Sequence, residues 1–170
     1  MKKNIEVILG NICYPKSEAL IIPANTKGTM SKGRPSKIIK DGLSSISKEA
    51  KQIAKDNKIE VGGCFITGPG RLKRRGLKKI YHAVIKRLQS DLTSLHIVRK
   101  ALNTTFKAAL RDKVKDITIC GIGIGIGELD KKSVAFIITD ICYKYDMAIK
   151  IKIIDDDSEF IKEVNNLMDN

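Results

Sequence analysis

Short, uninterrupted apolar runs that alternate with amphipathic stretches constrain this chain more than any other feature. Ala19-Leu20-Ile21-Ile22, Ile80-Tyr81-His82-Ala83-Val84-Ile85 and Ile117-Thr118-Ile119-Cys120 carry almost no strongly polar side chain. A strand that is apolar on both faces must be covered on both faces, as in a parallel sheet between helix layers. Between these runs Ile38, Ile39, Gly42, Ile46, Ala50, Ile53 and Ala54 recur at three- and four-residue steps. That spacing predicts one helix from about Pro35 to Lys55, with Pro35 suited to its first turn. Leu95, Val98, Leu102, Phe106 and Ala109 predict a second helix, and Val134, Ile137, Ile138 and Ile141 a third. Further strands are expected at Ile5–Ile12, Val61–Gly68 and Ala148–Ile154, and Ser158 is expected to N-cap a last helix through Met168. The alternation predicts an α/β fold with a largely parallel sheet. A length of 170 residues, with no internal repeat and no linker, predicts a single domain over 1–170.

Charge adds a second constraint. Lys and Arg number 32 against 19 Asp and Glu, a net charge of +13, and such a surface attracts polyanions. Arg71-Leu72-Lys73-Arg74-Arg75-Gly76-Leu77-Lys78-Lys79 is the most basic stretch, and Asp155-Asp156-Asp157-Ser158-Glu159 the most acidic. The basic stretch reads either as a surface for RNA or DNA or as a solvated loop. Aromatic residues make up only 5% and Trp is absent, so the core is aliphatic and base stacking has few platforms. Cys13, Cys64, Cys120 and Cys142 are widely spaced with no CxxC pair. That argues against a zinc site or a disulfide framework and for buried thiols in a reducing cytoplasm. No apolar run approaches the length of a membrane span, and Met1 to Gly10 lacks the features of a secretory signal. A cytoplasmic location without a membrane partner is expected, with no metal and no cofactor.

In sheets of this kind, ligands bind beyond the carboxyl ends of the strands. Two strand-to-helix loops are placed there: Pro23 to Gly33, and Gly121 to Gly127. Alternating glycines expose backbone N–H groups to an approaching phosphate, and a following helix start adds a favourable dipole. The same alternation also suits a strand end packed tightly against a helix. Gly121 to Gly127 lacks the GxGxxG register, and GxxxxGK[ST] is absent, which excludes the usual dinucleotide and P-loop readings.

Five blocks in order resemble a macro domain: Gly10-Asn11-Ile12; Ala19-Leu20-Ile21-Ile22-Pro23-Ala24-Asn25; Gly63-Cys64-Phe65-Ile66-Thr67-Gly68-Pro69-Gly70; Tyr81-His82-Ala83-Val84; and Gly123-Ile124-Gly125-Ile126-Gly127. The resemblance covers Ile5 to about Leu167. It implies a three-layer α/β/α sandwich around a central mixed, largely parallel sheet, with a cleft for ADP-ribose or a related ADP-ribosyl group. By position it implies that the Asn11-Ile12 backbone faces adenine, with Ile154 where an aromatic often stacks on that base. Ala24 and Asn25 would lie by the distal ribose and Gly33 near the diphosphate. Gly123, Ile124, Gly125, Ile126 and Gly127 would wrap the diphosphate and ribose. His82 resembles the family's strand histidine and reads as a core residue.

The chain departs from the family pattern at several positions. Asn11 stands where an Asp is usual, Met30-Ser31-Lys32-Gly33-Arg34 replaces a run of glycines, and Pro35 falls where some hydrolytic members carry an Asp. Lys32 and Arg34 would either bind the diphosphate by charge or occlude the cleft. Asn25 is the candidate catalytic residue, as an orienter of water, since an amide is no general base at neutral pH. The expected function is binding of ADP-ribose-type ligands with weak or no hydrolysis. One alternative is a hydrolase of ADP-ribose-1''-phosphate, O-acetyl-ADP-ribose or protein-linked ADP-ribose. Another is a nucleic-acid-binding fold using the 71–79 segment.

Overall fold

The computed structural model describes residues 4–12, 16–30, 33–42, 44–125 and 128–169. Its strands are β1 Ile5–Leu9, β2 Ala19–Asn25, β3 Cys64–Thr67, β4 Lys79–Lys86, β5 Asp116–Ile119 and β6 Lys150–Asp155. They form one sheet in the order β1-β6-β5-β2-β4-β3. Every neighbouring pair is parallel except β3 on β4, which is antiparallel. The helices are α1 Gly33–Gly42, α2 Ser44–Asp56, α3 Leu95–Arg111, α4 Lys131–Tyr145 and α5 Ser158–Met168. Helices α3, α4 and α5 pack side by side over the sheet, while α1 and α2 pack together against β2 and β3. The apolar runs of β2, β4 and β5 lie between these layers: Leu20, Ile21, Ile22, Ile80, Tyr81, Ala83, Val84, Ile117 and Ile119 are fully buried. This is the mixed, largely parallel α/β/α sandwich expected from the sequence.

Several boundaries differ from expectation, each for a local reason. Helical residues Gly33–Gly42 and Ser44–Asp56 span the helix predicted from Pro35 to Lys55, and Leu43 between them lies outside the described residues. β1 stops at Leu9, short of Ile12, because the chain bends at Gly10. β3 begins only at Cys64, since Gly62 adopts a left-handed φ of 88° in the preceding turn. The last strand runs to Asp155, and Asp157 rather than Ser158 caps α5, its carboxylate accepting from the Phe160 N–H. The basic stretch is no plain loop: Gly70–Arg75 is a 3₁₀ helix held by buried Leu72.

Five strands point the same way, so the loops after β1, β2, β4, β5 and β6 gather at one end of the sheet. At that end the chain leaves β2 toward β4 and β3 but leaves β5 toward β6. The crevice between β2 and β5 is therefore the topological switch point, where a ligand site is expected. No helix among the described residues is long and apolar enough to cross a membrane.

Candidate functional site

A narrow cleft of about 130 Å³ opens at the switch point. Ala24 and Asn25 from the end of β2, Gly33, Arg34 and Pro35 from the start of α1, and Gly121, Gly123 and Gly125 from the loop after β5 line it. Six of the residues expected at the site, Ala24, Asn25, Gly33, Arg34, Gly123 and Gly125, thus meet in one place. Lys32, Ile126 and Gly127 lie outside the described residues. Ile12 and Ile124 are turned into the core, so only their backbones are available. Asn11 and Ile154 line a separate recess of about 340 Å³ on the β1–β6 edge, with Gly10 and Lys152.

The glycine loop is shaped by its packing. Gly123 adopts a φ of 82°, and a Cβ there would meet Leu129, Val98 and Thr93 at 3.2 to 3.5 Å. The two positions differ: Gly123 is packed tightly, while a Cβ at Gly125 would make only an ordinary contact, with Glu128 Cγ at 3.5 Å. The N–H groups of Gly123, Ile124 and Gly125 donate to no acceptor among the described residues. The loop turns back on itself through Glu128 N–H to Gly125 O at 3.0 Å and Leu129 N–H to Gly123 O at 2.9 Å. The helix start that was expected to lend its dipole lies farther along, and Asp130 already caps it by accepting from Ser133 N–H. The loop's own amides are what the cleft offers an anion.

Asn25 is 4% exposed and its amide is fully committed. Oδ1 accepts from Lys27 N–H at 3.0 Å and Thr29 N–H at 3.3 Å, while Nδ2 donates to the Thr29 carbonyl at 3.1 Å and to Thr29 Oγ1 at 2.8 Å. Four bonds are the whole capacity of an amide. Asn25 therefore holds the β2–α1 loop in shape, and its availability to orient a water is reduced.

Arg34 neither projects into solvent nor blocks the cleft mouth as a free charge. Its Nε and Nη2 donate to the two oxygens of Asp155, at 2.9 and 2.6 Å. Asp155 is 1% exposed and also accepts from Gly121 N–H at 2.8 Å and Asp157 N–H at 2.9 Å. Its carbonyl accepts from Gly10 N–H at 2.9 Å. Asp155 thus ties the starts of α1 and α5 to the loop after β5 through its carboxylate, and to the loop after β1 through its carbonyl. Burial lowers the pKa of Arg34, but the contact with Asp155 outweighs it and the net shift is upward. Neutralising Asp155 would strand a largely buried guanidinium, which costs about 3–5 kcal/mol in comparable pairs.

The sequence reading missed a second pair in the cleft. Lys86, at the end of β4, and Glu128, just past the glycine loop, form an ion pair with side chains only 17% and 14% exposed. Thr29, Ile85 and Gln89 complete that wall. Lys86 ends an apolar run and Glu128 directly follows the glycines, which was the available signal. His82, farther back along β4, belongs to the core as expected. It is 1% exposed, stacks on Phe65 with ring centroids 4.4 Å apart, and shares a 2.8 Å hydrogen bond with Thr67. Burial lowers its pKa to about 3. Burial likewise raises Cys120 to about 12, and Cys120 and Cys142 are buried free thiols. No cluster of His, Cys, Asp or Glu among the described residues could hold a metal ion.

The family model described as Macro domain matches residues 21–138. A protein of Aquifex aeolicus, described only as uncharacterized, is 28% identical over 161 residues, 94% of each chain. Among solved structures, the macrodomain of Mycobacterium tuberculosis DarG superposes with a TM-score of 0.78 at 19% identity, covering 88% of this chain and 96% of that one. A point mutant of the Oceanobacillus iheyensis macrodomain, solved with ADPR, gives 0.83 at 14% identity, with 97% and 91% covered. The Trypanosoma brucei macrodomain in complex with ADP gives 0.78 at 15% identity, with 96% and 67% covered. With the sheet order, the glycine loop at the switch point and the matched residues all in agreement, this chain belongs to the macro domain family.

Proposed function

We propose that the cleft binds an ADP-ribose-type ligand, with the diphosphate on the N–H groups of Gly123, Ile124 and Gly125. The carrying observation is that these three donors, in the wall of a switch-point cleft, have no acceptor among the described residues. Two similar structures, from Oceanobacillus iheyensis and Trypanosoma brucei, hold ADPR and ADP. The distal ribose would lie by Ala24 and Asn25, and the adenine end in the recess by Asn11 and Ile154, with the Arg34–Asp155 pair between them. Pro35 brings no acid or base and Asn25 is occupied by its own loop, so weak or no hydrolysis is the primary reading. Calorimetry with ADP-ribose tests it. Gly125→Glu adds bulk and a like charge beside Glu128 in space that accepts a Cβ. The expected result is a folded variant with affinity lowered at least about tenfold, or 1.4 kcal/mol. A folded variant with unchanged affinity would place the ligand elsewhere.

The Lys86–Glu128 pair favours one further reading, hydrolysis of an ADP-ribosyl bond. A carboxylate that accepts a proton from attacking water, beside an ammonium that neutralises the departing oxygen, is a general acid–base couple. Product release from ADP-ribose-1''-phosphate, O-acetyl-ADP-ribose and ADP-ribosylated protein measures it. Glu128→Gln should then lower the rate about a hundredfold while ADP-ribose binding stays within threefold. No turnover by the parent protein eliminates this reading and leaves the binding one standing.

A further inference from the structure

The basic stretch 71–79 is not at the cleft. It feeds the start of β4, whereas Lys86 in the cleft wall ends that strand. Seven steps of about 3.3 Å place the two ends roughly 23 Å apart. At this opposite end the fold assembles a second set of cations that is distant in sequence. The carbonyl of Glu18 accepts from the N–H groups of Lys78 and Lys79 at 2.7 and 3.2 Å. The Glu18 carboxylate accepts from Lys115 N–H at 2.9 Å. The α3–β5 connection, carrying Arg111, Lys113 and Lys115, is thereby pinned beside the 71–79 segment, and Lys78, Lys79, Lys113 and Lys115 line one shallow groove.

The acids present here are already engaged. Asp112 accepts from the Tyr81 hydroxyl at 2.7 Å and faces Lys79 and Arg111 at 3.7 and 3.8 Å, and Glu18 faces Lys78 at 3.8 Å. Arg71, Lys73, Arg74, Lys113 and Lys115 are exposed and have no ion pair among the described residues. These cations sit on fixed backbone. Leu72 and Leu77 are buried, Gly76 closes the 3₁₀ helix in a left-handed conformation, and Glu49 accepts from Gly68 N–H. Lys113 holds a φ of 58°, where glycine is the usual residue at a helix end. Preordered cations lose less freedom on binding than mobile ones. Tyr81 and Phe106 are buried and half-buried Tyr145 is stacked on Phe106, so these rings are poor platforms for an unpaired base.

We propose that this end of the sheet, built from residues 71–79 and 111–115, is a second binding surface that holds a nucleic-acid duplex by its phosphate backbone, without base readout and independently of the cleft. Fluorescence anisotropy with a labelled 20-base-pair duplex over a series of salt concentrations tests it. With five unpaired cations, log K should fall by about 3 to 5 per log unit of salt, and a scrambled duplex should bind within threefold. Lys113→Ser with Lys115→Ser should weaken binding at least about tenfold and flatten that slope. The control removes the same charge elsewhere, through exposed Lys132→Ser and Lys162→Ser at the starts of α4 and α5. It should cost less than threefold. Saturating ADP-ribose should leave duplex affinity unchanged. Equal losses in the two double variants would reduce the effect to net charge and overturn the site. So would tighter binding to a single strand or to anionic vesicles than to the duplex, or no binding at low salt.

Discussion

The two ends of the sheet use charge in opposite ways. At the cleft end charged side chains turn inward and pair: Arg34 with Asp155, Lys86 with Glu128. At the other end Arg71, Lys73, Arg74, Lys113 and Lys115 are exposed, with no ion pair among the described residues. Residues 33–79 hold thirteen Lys and Arg against four Asp and Glu, and 150–169 hold three against six, so the imbalance is regional. Buried pairs restrict geometry because breaking one leaves an uncompensated charge, whereas exposed cations cost little to remove and act at longer range. The same residue types therefore shape the structure at one end and offer a field at the other.

The largest expected break is at the cleft end. Asp155→Asn should lower the unfolding free energy by about 3 kcal/mol, because the Arg34 guanidinium, 15% exposed, loses its charge partner. Urea denaturation measures this, and a loss below about 1 kcal/mol would show that the pair is not the fastener of the cleft loops. The next effect lies between the two ends, on β4. The ordinary value for His82 is 6.5, and burial lowers it to about 3 in the folded chain. Between these values the unfolded chain binds more protons, so stability is fully present above about pH 6.5 and falls as pH drops toward 3. At pH 5 the loss should be about 2 kcal/mol. His82→Phe should remove that part of the pH dependence, and an identical pH profile would assign it to other groups. The smallest effect is at the basic end. Arg71→Ser, Lys73→Ser and Arg74→Ser together should change stability by less than about 0.5 kcal/mol, since these are exposed and have no ion pair among the described residues. The triple variant should also leave ADP-ribose affinity within twofold, given the separation from the cleft. A larger shift in calorimetry would show that the two ends are coupled.

Much of the architecture was legible because it rests on local periodicity. Ala19 to Ile22 and Ile80 to Ile85 had to be doubly covered strands, and the two strand-to-helix loops had to lie beyond strand ends. The errors were local competitions that periodicity does not register. Gly62 turned the chain ahead of β3, and Asp157 took the capping role from Ser158. Of the site, backbone-donor positions such as Gly123 and Gly125 could be read from glycine spacing. The occupation of Asn25 by Thr29, four residues away, could not be told from its availability to a ligand.

The sequence by itself determined the strands, the helix layers, the glycine loop and the family, because burial and turn chemistry repeat at short range. Only the tertiary structure decided which charges meet. Arg34 and Asp155 are 121 positions apart, Lys86 and Glu128 are 42 apart, and Glu18 lies 97 positions from Lys115. Each meeting depends on strand order and register across the whole sheet, and a charge in a sequence carries no record of its partner until that order brings the two within hydrogen-bonding reach.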